Sequence, residues 1–85
     1  MIYFNFRDGC IFPLNGQIIE RICIGEKYIV VASEKGLEKS VVFRILFDTF
    51  NEDSATEFLC KLIDYIDRTP PNKKLVLDVD KVFDS

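Results

Sequence analysis

Between Asn51 and Arg68 the apolar residues recur at one spacing: Ala55, Phe58, Leu59, Leu62, Ile63 and Ile66 fall at the i, i+3, i+4 and i+7 positions of a single helical face. The opposite face carries Glu57, Lys61, Asp64 and Arg68, arranged as two i,i+4 pairs worth a few tenths of a kcal/mol each. Asn51 is a suitable N-cap, and Glu52 and Asp53 put negative charge where the helix dipole favours it. Thr69-Pro70-Pro71-Asn72 closes the segment, because proline turns the residue before it away from helical angles. One apolar stripe on one helix must be covered by another element. The rest of the chain offers only strand patterns to cover it.

Those patterns begin with Ile2, Phe4 and Phe6, which alternate with Tyr3 and Asn5 at the period of a half-buried strand. Asp8-Gly9 and Asn15-Gly16 are hairpin-type turn pairs. Between them, Cys10 to Leu14 holds Pro13, which gives no N–H to a ladder and belongs at a sheet edge or in a connection. Gln17 to Ile24 and Lys27 to Ser33 read as partners across a Gly25-Glu26 type II′ turn. A charged loop around Gly36 leads to Ser40–Asp48, where Val41, Phe43, Ile45 and Phe47 share one face. Lys74 to Asp80 predicts a last strand, and Lys81 to Ser85 a frayed tail anchored at most by Phe83. Such short connections make the strands antiparallel. The expected architecture is therefore α+β: an antiparallel β-meander sheet packed on one C-terminal amphipathic helix, followed by a final strand, in two layers. Residues 1–85 are read as one domain.

A chain of 85 residues buries only ~60% of the surface it exposes when unfolded, so self-association is an expectation. Its 14 acidic and 11 basic residues give a net charge of -3, and Lys73-Lys74 is the one basic doublet, a poor basis for gripping a phosphate backbone. Neither nucleic acid nor a membrane is an expected partner, since no apolar run approaches the ~20 residues that cross a bilayer. The N-terminal segment lacks the pattern of a secretory leader, and a cytoplasmic location follows as the expectation.

The chain contains no histidine, which removes Ser-His and Cys-His pairs, the commonest general base and the commonest metal ligand. Asp78 and Asp80, if they lie in a strand, sit on one face about 7 Å apart. They are weak candidates for Mg²⁺ or Ca²⁺, two ligands without a third, and more simply the solvent face of a strand leaving the core. Cys10, Cys23 and Cys60 form no CxxC and read as reduced thiols, Cys60 on a helix flank and Cys23 as a small packing residue. The four glycines are isolated turn residues, and no phosphate-binding loop can be written. No cofactor and no catalytic role are expected.

A sheet covered by one helix leaves its second face open. Ile19, Arg21, Cys23, Ile29, Val31, Val42, Arg44 and Leu46 line that face if the helix covers the alternate set, an assignment that a bulge would partly swap. An apolar group of this kind marks an interaction surface, unless Tyr3, Phe12 and Phe83 close over it. The leading reading is a non-catalytic protein-protein interaction module, self-associating as a homodimer through Ile19, Arg21, Ile29, Val31, Val42, Arg44 and Leu46. The alternative is a small acidic inhibitor or adaptor, of the kind phages and mobile elements carry, that binds a basic site on a larger protein. A carboxylate- and metal-dependent enzyme ranks last.

Overall fold

The computed structural model describes residues 1–34 and 43–84. The expected helix is present as α1 (Glu52–Arg68). Asn51 caps it, its side-chain oxygen accepting from the Asp53 and Ser54 N–H groups at 2.9 and 3.2 Å. Ala55, Phe58 and Leu62 are buried, with Leu59, Tyr65 and Ile66 packed beside them. Ile63, expected in the stripe, points to solvent, and Tyr65 takes its share of the contact. Asp64 and Arg68 pair at 2.8 Å as the spacing predicts, while the Lys61 ammonium donates to the Phe83 carbonyl at 3.0 Å.

The strands form two sheets where one meander was expected. In the first, β1 (Ile2–Asn5) is central, with β2 (Ile11–Leu14) antiparallel on one side. Pro13 lies in that edge strand, as its missing N–H requires. On the other side of β1 runs β6 (Leu75–Leu77), and this pairing is parallel. Asn15-Gly16, expected to close a hairpin, instead carries the chain out of β2 into the second sheet, with Gly16 at φ 81. That sheet is antiparallel, in the order β3 (Ile18–Ile24), β4 (Lys27–Ser33), β5 (Phe43–Thr49). Val41, Val42 and the charged loop around Gly36 lie outside the described residues.

The C-terminal segment departs most from expectation. β6 ends at Leu77, three residues before the expected boundary, because Asp78 accepts the Lys81 N–H at 2.7 Å and caps a short helix, α2 (Val79–Phe83). Val82 is fully buried and Phe83 packs on the core, so this stretch is no frayed tail up to Asp84. Phe58 stands at the centre of the core. Its ring is stacked on Phe47 at 4.9 Å and lies 5.7 Å from Phe83 and 6.2 Å from Phe4. One side chain from α1 thus joins β1, β5 and α2.

Candidate interaction surface

The two-residue turn at Gly25-Glu26 sets the faces of the second sheet. Gly25 adopts φ 62 and Glu26 no positive φ, as a type II′ turn requires. Ile24 therefore opposes Lys27, and the register runs outward to Ile22↔Ile29, Glu20↔Val31 and Ile18↔Ser33 on one face. Arg21↔Val30 and Ile19↔Ala32 occupy the other. Along β5, Val30 faces Phe47 and Val31 faces Ile45, leaving Leu46 as the extra residue of a β-bulge. The bulge sends both Leu46 and Phe47 toward α1 and leaves Phe43 and Ile45 on the outer face.

This geometry divides the residues expected to line one open face. Ile19, Arg21, Arg44 and Leu46 lie on the helix side. Ile19 packs on the core, and Leu46 is buried within it. The Arg21 guanidinium bonds Glu52 at 3.1 Å and Thr56 at 2.9 Å on α1. Arg44 pairs with Ala32 and stands 5.3 Å over the Phe12 ring. Ile29 and Val31 are on the outer face, and Val42 lies outside the described residues. The separation follows from strand parity, since across a two-residue turn Arg21 and Val31 cannot share a side. Arg21, Glu52 and Tyr28 form one polar cluster at the sheet–helix junction, where the neighbouring Glu52 carboxylate pushes the Tyr28 phenol up from its ordinary pKa.

The outer face has a buried centre and an exposed apolar rim. Ile29 and Val31 are buried in the middle strand, while Ile18 (43% exposed), Ile24 (58%), Phe43 (39%) and Ile45 (47%) stand on the flanking strands. Lys27 and Asp48, 3.6 Å apart, close one end. Ser33 is buried on the same face, and its hydroxyl has no hydrogen-bond partner among the described residues. Ile24, Phe43 and Ile45 were expected under the helix, and counting outward from the Gly25-Glu26 turn would have placed Ile24 outside.

The remaining candidates fall apart as a group. Asp78 and Asp80 are not strand neighbours: Asp78 is the cap of α2 and Asp80 lies in its first turn. Among the described residues no three His, Cys, Asp or Glu side chains come together to hold a metal ion. Cys10, Cys23 and Cys60 are free and exposed, so Cys23 is not the packing residue its position suggested. No helix of the described residues is long and apolar enough to cross a membrane. Comparison with protein-family models, with curated proteins and with solved structures finds no match for the chain.

Proposed function

We propose that this chain is a non-catalytic protein-interaction module that self-associates through the outer face of β3–β4–β5. The observation that supports this reading is the rim of Ile18, Ile24, Phe43 and Ile45, large apolar side chains held in water on one side of one small sheet. Apolar groups gathered on a surface in this way mark interaction sites. Four side chains fall short of the ~800 Å² per partner of a standard interface. The association therefore also engages the outer edge of β3, which no strand of the described residues pairs. An unpaired strand edge is a ready template for a second copy, and two-fold pairing there extends the sheet while bringing two outer faces side by side.

Light scattering across a dilution series tests the reading. A dimer mass that persists in high salt is expected, because apolar contact is not screened. Ile24→Glu and Ile45→Glu each shift the mass to monomer without changing the circular dichroism spectrum, since both side chains are exposed. A wild-type chain that stays monomeric at every concentration sinks the proposal.

A further inference from the structure

A groove of about 560 Å³ runs between β5 and the point where β1 and β6 part. β6 accompanies β1 only as far as Leu77↔Phe4, after which Asp78 turns the chain into α2 and Asn5 has no strand neighbour on that side among the described residues. The consecutive residues Ile45 to Asp48 line the opposite wall. Neighbours along a strand point to opposite faces, so the groove meets β5 at its edge. Its floor is apolar and firmly held, with Phe4 edge-on to Phe6 at 5.1 Å and Phe47 stacked on Phe58. Its walls carry acidic residues on both sides, Asp48 from β5, where Lys27 stands 3.6 Å from the carboxylate, and Asp78 and Asp80 from the start of α2; Arg7 is the one cation among the described lining residues.

We infer that this groove seats an extended basic segment of a partner protein, an Arg or Lys stem lying on the aromatic floor and its head group within reach of Asp48 and Asp80. Charge complementarity selects the occupant. Carboxylates from two separate elements border an apolar trough, and arginine and lysine are the side chains that combine a long apolar stem with a positive head. Phe4 is buried, so the half-buried Phe6 and Phe47 are the floor residues such a stem touches. Addition of a full strand to β5 is not the main source of affinity, because the bulge at Leu46 breaks the regular edge. The anchor is a side chain. The site is separate from the β3 edge and from Ile18 and Ile24 but shares Ile45 with the proposed interface, so the Asp48 and Asp80 variants, which leave Ile45 in place, separate its failure from that of self-association.

The test is a ¹⁵N NMR titration with an acetylated, amidated peptide Ala-Arg-Ala-Arg-Ala, run beside its glutamate counterpart and free argininamide. Saturable shifts are expected at Asn5–Gly9, Ile45–Asp48 and Asp78–Asp80 with the arginine peptide alone. Asp48→Asn with Asp80→Asn weakens binding about 3- to 10-fold, whereas Arg7→Ser strengthens it and Asp64→Asn on the far side of α1 changes nothing. Asp80 is chosen over Asp78 because Asp78 caps α2, and an unchanged dispersion of amide signals shows the variants folded. Three outcomes overturn the inference: no saturable shift, shifts spread equally over the acidic residues of α1, or equal binding of argininamide, which would make this a small-cation site.

Discussion

Phe58→Ala is expected to destabilise the protein by about 3–5 kcal/mol, the range for deleting a buried aromatic side chain. Phe58 has no exposed surface, and its ring is shared among Phe4, Phe47 and Phe83. The first sheet, the second sheet and α2 each contribute one of those rings, so the cavity left behind cannot be filled by movement of a single element. A domain of this length has a total stability of roughly 4–13 kcal/mol. The loss is therefore a large share of the whole. Urea unfolding followed by circular dichroism measures it, and a change below about 1 kcal/mol would show that the aromatic cluster is not the centre of the core. Phe58→Leu, which keeps most of the volume, should recover more than half of the loss.

A chain ending at Asp78 is expected to lose about 3–5 kcal/mol, from the complete burial of Val82 and the partial burial of Val79 and Phe83. The carbonyl that accepts the Lys61 ammonium goes with them. A disordered tail would change stability by no more than about 0.5 kcal/mol. Val82→Ser gives the same direction in the full chain, so end effects are separable from packing. An unfolding midpoint unchanged by both alterations would return the segment to the status of a tail.

Local features of this fold were legible in the sequence and distant ones were not. The helix, its Asn51 cap and its proline stop depend on residues within a turn of each other, and the periodicity states them directly. Gly25-Glu26 and Pro13 behaved as their backbone chemistry requires. The second sheet's faces were legible in part: the length of the turn fixes Ile24 opposite Lys27, and simple counting then separates Ile29 and Val31 from Arg21. Nothing in the alternation of Phe43, Ile45 and Phe47 announces the bulge at Leu46, which depends on the fit of β5 against β4. The split into two sheets was hidden for the same reason. Ile2 and Phe4 meet Leu75 and Leu77 through side-chain packing across nearly the whole chain, and no local pattern encodes a parallel partner that far away. Asp78 misled because Asp-Val-Asp alternates like a strand, while the capping bond to Lys81 appears only once the backbone has turned.

The parallel pairing of β1 with β6 also orders events during synthesis. β1 leaves the ribosome ahead of β2 to β6, yet it is the centre of its sheet, and one of its neighbours lies on the order of 70 residues later, a separation that makes loop closure costly. The β3–β4 hairpin and α1 are assembled from near neighbours and form early, whereas the first sheet waits for Leu75–Leu77 to be translated. Until then one side of β1 offers an unsatisfied backbone ladder and the apolar side chains of Ile2 and Phe4 to the cell. A nascent chain stalled near residue 70 should protect the β3–β4 amides from hydrogen exchange and leave those of β1 open; early protection of β1 would show that β2 alone suffices to hold it.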